Sequence, residues 1–506
     1  MDLNPFERAL AAVAPGWGVR RLSHKLALDQ ARTVAQQARG YDAARQDRRT
    51  SNWQAPASSA RAEVGRGLPM VRRRSRDLIR NSEWASNAKR KLVAHMVGTG
   101  FMPRAADFVA KGQKKKAAEL WQAFAENCDP EGLTDIYGKM AQAIGEVVEG
   151  GSCLIRYTLT PPEWGFKVPL LVEVLESDFL DHGRTEAMNN GNVIVQGVEF
   201  DGWGRRVAYW LFDQHPGDNG VLAWKRGTSM SRRWSADRID HVFRVDRPGQ
   251  VTGIPWFAPL ALRLRDAADY EEAELIRKKI EACLTVFVKR TGTPPVTLAQ
   301  DVKQEKKADG TRLEKINAGL ITYLQEGEEV QVAAPTPSAG YAEHMLQQLM
   351  AAAAGIGIPY SMFSGDLRQA NYSSLREGKL DFWSVLDQWQ WHMAIPQMAN
   401  KMWRRCMTAA AVRGHAVSAD LPAVWAVPKR PWVDPKKDAE AALLEMQAGL
   451  ELWSDQVAAR GYDPEQRLDD LKDLAPRLKE AGVVLAQNAA PAAKTQGGDG
   501  QQDGGG

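Results

Sequence analysis

The stretch that most restricts how this chain can fold runs from residue 260 to residue 285. Pro259 suits the first turn of a helix, and Asp266, Asp269, Glu271, Glu272 and Glu274 precede Arg277, Lys278 and Lys279. That order of charge complements a helix dipole. The apolar positions, however, do not keep to one face. Leu260 and Leu264 share a side, whereas Ile276, Ile280 and Cys283 lie nearly opposite. Such a helix passes from one packing environment into another.

The rest of the chain gives it ample material for folded domains. Its 506 residues are 44% hydrophobic, enough for several cores. No run of eighteen apolar residues occurs, and Met1-Asp2-Leu3-Asn4-Pro5 lacks a basic start and apolar core. The expectation is a chain that neither enters a membrane nor is secreted. Cys128, Cys153, Cys283 and Cys406 are far apart, which points to buried thiols in a reducing compartment, without a disulfide framework or a C-x-x-C zinc site.

Charge is uneven. Residues 1–116 hold 24 Lys and Arg against 9 Asp and Glu, a net +15, so the chain's +4 leaves −11 for the remainder. The basic portion could meet nucleic acid, an acidic partner or a scaffold, whereas the acidic remainder repels DNA phosphates. Residues 1–66 read as an arm of short helices and coil with little core, ordering against something else. Lys114-Lys115-Lys116 and Arg72-Arg73-Arg74 fit a solvated or protein-facing surface better than a nucleic-acid site.

Periodicity organises the remainder into an α+β chain. Trp84, Ala85, Ala88, Leu92 and His95 predict a helix over 82–97, closed at Gly98-Thr99-Gly100. Another helix surrounds Leu120 to Phe124, and strands are expected at 153–159, 170–174, 193–200 and 207–212. Trp164, Trp203, Trp210, Trp224 and Trp234 read as core or interface anchors. A small β-rich module comprises 284–288, 321–324 and 330–332, with 303–315 as its charged excursion. Tyr341, Met345, Leu346 and Leu349 begin a helix through Ala354 that Gly355-Ile356-Gly357-Ile358-Pro359 breaks. A loop of about seventeen residues follows, and Ser374 with Glu377 spells a capping box that starts a long helix, interrupted at Pro396. Asp434-Pro435 and Asp463-Pro464 open two terminal helices, and everything after Gln487 has the composition of a flexible tail.

The common catalytic signatures are missing. No phosphate-binding loop with Lys and Ser or Thr occurs, since the nearest stretch, Gly132 to Met140, has the wrong spacing. There is no H-E-x-x-H, no G-x-S-x-G, and the eight histidines are scattered. No cofactor, metal ligand or catalytic residue is assigned.

Five blocks resemble the lambda-type tailed-phage portal proteins, in that family's order. They are Arg74 to Asn81, Val97 to Pro103, Arg247-Pro-Gly-Gln-Val-Thr-Gly-Ile-Pro-Trp-Phe-Ala-Pro259 leading into the charged helix, Tyr323 to Glu329, and Asn371-Tyr372-Ser373-Ser374. Thr252 stands where many members carry arginine. The resemblance implies a multidomain portal fold assembling into a dodecameric ring at a capsid vertex. Double-stranded DNA would pass through it, driven by a separate terminase, with the large terminase subunit, head-tail connector proteins, major capsid protein and scaffold as partners. It further implies location in the virion after assembly in the bacterial cytoplasm, and no enzymatic activity. By segment, 67–258 would be wing, 259–285 and 339–356 stem, 286–338 clip, 357–373 tunnel loop, 374–432 long wing helix and its connection, 433–488 crown and 489–506 tail. Arg368, Gln369 and Asn371 are the loop residues expected to touch the DNA backbone, with Ser374 and Glu377 as the loop's anchor. A head-to-tail adaptor or other packaging factor is the alternative, and a nucleic-acid enzyme a more distant one.

Overall fold

The computed structural model describes residues 57–482 except 107, 219–229, 283–285, 291–327, 333–339, 369, 429, 431–433, 461 and 463, with a few positions between 14 and 52. Contacts divide the chain into residues 1–59 and 60–506. In the first unit the described residues between 14 and 28 are mainly helical and exposed, Val19, Leu26 and Leu28 among them. The tail and Cys283 lie outside the described residues.

The second unit opens with α1 (Ala60–Asn81), which crosses the expected arm boundary at 66 without a break. α2 (Glu83–Met96) follows; the Ser82 side chain accepts from the Ala85 N–H, and Ala85, Ala88, Leu92 and Met96 are its buried stripe. β1 (Met102–Ala105) precedes α3 (Lys111–Asn127) and then α4 (Ile136–Gly150), a helix absent from the sequence-based expectation. α4 is capped by Asp135 and buries Ile136, Met140, Ala143, Ile144, Val147 and Val148.

β2 (Ser152–Leu159) runs antiparallel between β3 (Leu170–Glu176) and β9 (Ile239–Phe243). A second sheet has the order β4 (Glu186–Ala187), β5 (Val193–Val195), β6 (Val198–Phe200), β7 (Arg206–Leu211) and β8 (Arg232–Ser235). The strand expected over 193–200 is therefore a hairpin. It turns at Gln196 and Gly197, whose φ angles are 52° and 79°. Trp203 is 90% exposed at the next turn and Trp164 is 55% exposed, so neither is a core anchor in this chain; Trp210 and Trp234 are half-buried, and Trp224 lies outside the described residues.

α5 (Ala261–Ala282) leads to a paired ladder of β10 (Val286–Arg290) and β11 (Glu328–Val332). The expected strand at 321–324 and the excursion at 303–315 fall outside the described residues. α6 (Tyr341–Ile356) returns along α5, with Arg263 Nη1 donating to Gln348 Oε1 at 2.7 Å and Tyr270 stacked on Tyr341. After α7 (Tyr360–Ser364), α8 (Tyr372–Trp389) continues through a π-helical stretch, Gln390–Ala399, into α9 (Asn400–Val412). Pro396 lies in that stretch, where the widened turns accommodate a residue without an N–H. β12 (Ala423–Ala426) pairs with β1, and α10 (Pro435–Gln447), α11 (Trp453–Ala459) and α12 (Pro464–Glu480) end the unit. The expected terminal pair of helices thus has a third between its members.

One large core joins these parts, containing Leu92, Phe124, Ile144, Ile155, Trp256, Phe363, Leu386 and Trp403 among others. A smaller cluster, including Leu154, Leu175, Val198, Tyr209 and Val251, joins the two sheets. Cys128, Cys153 and Cys406 are buried free thiols. Among the described residues no helix is long and apolar enough to cross a membrane.

Candidate functional site

Residues 246–260 fold as a clasp at the head of α5. Gly151, at φ 90°, and Gly253 bring two backbones together: a Cβ on Gly253 would lie 1.9 Å from the Gly151 carbonyl oxygen. The Gln250 amide closes the loop on itself, accepting from Asp246 N–H and donating to the Thr252 carbonyl at 2.8 Å. Thr252 is fully buried with its hydroxyl 2.9 Å from that of Ser152, and Arg206 supplies the nearby guanidinium by donating to the Val251 carbonyl. Trp256 N–H donates to Val148 of α4, and the Trp256 ring packs 4.4 Å from Trp389 and beneath Arg244. α5 therefore starts from a fixed point. Leu260, Leu264 and Ala267 are buried there, whereas Leu262, Leu275 and Ile276 are 70%, 54% and 49% exposed.

The segment between α6 and α8 is more ordered than a plain loop. Gly357, at φ 80°, ends α6 with its N–H directed to Ala353 and Ala354 carbonyls. Ile358 and Phe363 are buried, and Asn87 Nδ2 donates to the carbonyls of Met362 and Phe363 at 2.9 and 2.8 Å. This fastens α7 to α2. Beyond Gly365, Asp366 is the hub of the tip. Its N–H donates to Ser364 Oγ, and its carboxylate accepts from Arg368 N–H at 3.0 Å, Arg368 Nε at 3.0 Å, Arg368 Nη2 at 2.8 Å and Tyr360 OH at 3.3 Å. The Arg368 guanidinium, then the Arg368 N–H, hold the Asp366 carboxyl well below the usual range. Leu367 and Arg368 are exposed, and Gln369 lies outside the described residues.

The loop's anchor differs from the expected one. α8 begins at Tyr372, not at Ser374: Asn371 is its N-cap, accepting from Ser374 N–H at 2.8 Å, while Ser374 Oγ accepts from Asn371 N–H at 3.2 Å. Asparagine caps as well as serine, and a hydroxyl three residues on completes the reciprocal pair that Glu377 was expected to make. Glu377 is exposed a turn further along. Asn371 consequently spends its side-chain oxygen on the helix.

A partly buried charge network links α1, α4 and the end of β3. Arg76 contacts Glu146, Glu176 and Asp178 at 3.0, 2.8 and 2.6 Å, while fully buried Arg72 donates to the Gly150 carbonyl and contacts His182. Desolvation, reinforced by Glu176 and Glu149 against Arg76 and the Ser177 N–H, pushes Glu146 up to about 7. Burial and Arg72 push His182 down to about 4. Glu176, Asp178 and His215 bring ligand-type atoms within 4.8 Å, but the Arg76 guanidinium already supplies the cation to both carboxylates, the geometry of an ion-pair network.

Sequence reasoning names Arg368 and Asn371 but not Asp366, Asn87 or Gly151, which the structure ties into the loop and the clasp. An aspartate two residues before an arginine is a readable turn signal; an interaction such as Asn87 with Phe363 leaves none.

Residues 46–390 match the family described as phage portal protein, lambda family. The chain is 27% identical over 501 residues to the "Probable portal protein" of Halomonas phage phiHAP-1, covering 94% of this chain and 93% of that one. It is 20% identical to "Portal protein B" of Escherichia phage lambda, over 82% of this chain and 85% of the relative. A chain from the neck of an empty GTA particle, computed with C6 symmetry, aligns with a TM-score of 0.43 and 14% identity, over 77% of this chain and 94% of that one. The chain belongs to the lambda family of phage portal proteins, a structural and non-enzymatic family whose members form ring oligomers at the capsid vertex and are part of the virion.

Proposed function

We propose that twelve copies close into the ring, with segment 357–373 facing a central channel through which double-stranded DNA enters and leaves the head. Residues 259–285 and 339–356 form the stem, 286–338 the clip and 433–488 the crown; the ring assembles in the host cytoplasm. The large terminase subunit and head-tail connector proteins dock on it, and the major capsid protein and scaffold surround it. Arg368 and Asn371 meet the DNA backbone transiently.

The observation that carries this reading is the split environment of α5. In its first turns Leu264 and Ala267 are buried, while further along Leu275 and Ile276 stay uncovered. Apolar surface of this kind calls for a neighbour, and a repeated interface between identical copies closes into a ring. A channel that DNA must traverse should also grip weakly, which agrees with the −11 balance after residue 116. Native mass measurement with negative-stain imaging tests the proposal: closed rings with a central hole are expected. A monomer that persists across protein concentration and salt would overturn it.

A further inference from the structure

Between Gly357 and Asn371 the sequence holds two charged residues, Asp366 and Arg368, and they bond to each other. Resting on the reading that this loop lines the channel, we propose that Asp366 is a positioning residue that occupies the Arg368 fork, so that its contacts with DNA phosphates stay transient, and makes the loop tip electrically neutral toward the passing duplex.

The geometry carries this. Carboxylate and phosphate compete for the same donors, because an arginine recognises either one through two parallel N–H groups. In this loop Nε and Nη2 of Arg368 are both directed at Asp366, at 3.0 and 2.8 Å. The carboxylate is fixed from its other side. Arg368 N–H and Tyr360 OH donate to it, and Ser364 Oγ, itself donating to the Tyr360 carbonyl, accepts from Asp366 N–H. Asp366 is accordingly set into the base of the loop, its side chain 21% exposed, while that of Arg368 is 88% exposed. The arginine is within reach of a partner but already engaged. A phosphate must displace Asp366 to be held at two points, and an exposed ion pair yields to such competition without holding the newcomer firmly. Repeated around a ring, the arrangement lets DNA slide past arginines that never grip it in concert.

The test uses rings of the full-length protein and a linear double-stranded DNA fragment, with affinity measured across a salt series. Asp366→Asn should bind more tightly at low salt and with a steeper salt dependence, by about 0.9 in log–log slope for each additional phosphate neutralised. Asp366→Ser, which keeps a turn-capping oxygen, is read the same way should the asparagine variant not form rings. Asp366→Glu, which retains the carboxylate, should stay near the parent. The tighter binding must depend on the arginine: added to Arg368→Ala, the Asp366→Asn change should have little effect. Equal tightening in that background would mean simple loss of negative charge, and no tightening in either would mean Arg368 is not restrained; each result overturns the proposal. A photocrosslinker at Leu367→Cys separates this from the channel reading. Failure to crosslink packaged DNA overturns the reading itself, whereas crosslinking without the arginine-dependent tightening overturns only the role of Asp366.

Discussion

Glu146 sits at the end of α4 against Arg76, the Ser177 N–H, Glu176 and Glu149, and burial raises it from an ordinary 4.5 to about 7. In the unfolded chain it ionises near its ordinary value, so between those limits the native state binds the extra proton. Stability contributed by the protonated form is therefore full at low pH and is lost as pH rises toward 7. Glu146→Gln keeps an oxygen to accept from Arg76 and removes the titration. Its stability relative to the parent should improve between pH 5 and pH 8 by on the order of 2 kcal/mol, measured by denaturant unfolding at each pH. A difference that does not change with pH would show that Glu146 carries no such penalty. Gly253→Ala tests the clasp at the same scale. Its new methyl would meet the Gly151 carbonyl, a backbone atom that cannot rotate away. The expected cost exceeds about 3 kcal/mol, read as a lowered melting temperature.

Among elements, the start of α8 separates two caps that look alike in sequence. Asn371→Ala should cost about 0.5–2 kcal/mol and speed amide exchange over residues 372–376, whereas Glu377→Ala should stay within about 0.5 kcal/mol of the parent. The sequence spells a box at Ser374–Glu377, whereas the reciprocal pair that forms is Asn371 with Ser374, a hydroxyl standing where the sequence signature has Glu or Gln. Nearby α2 is readable because Ser82 precedes four apolar positions at helical spacing. α4 escapes notice although Ile136, Met140, Ile144 and Val147 repeat correctly, because Gly138, Gly145 and Gly150 read as breakers. The β5–β6 turn gives no warning either, since Gln196 is a non-glycine residue at positive φ. Of the loop, the helix break at Gly357 is legible, while the helix at Tyr360–Ser364, the start of α8 at Tyr372, the carboxylate holding Arg368 and the asparagine fastening α7 require the third dimension.

At the scale of the whole molecule, the exposed end of α5 gives the prediction. Leu275→Asp with Ile276→Asp should leave the cores intact, as both side chains are about half exposed. It should shift native mass from rings toward single subunits, with unchanged tryptophan fluorescence. Rings that persist would place the subunit interface elsewhere. Asn87 has a mechanical counterpart in Gln390, whose buried amide donates to the Met96 carbonyl at 2.8 Å. One ties α7 to α2 and the other ties the far end of α2 to the long helical rod. Tension applied at Leu367 is therefore not borne by the chain ends at Gly357 and Asn371 alone. It is shared along α2 into the rod, so a tug on the tip loads the body of the subunit as well as α6.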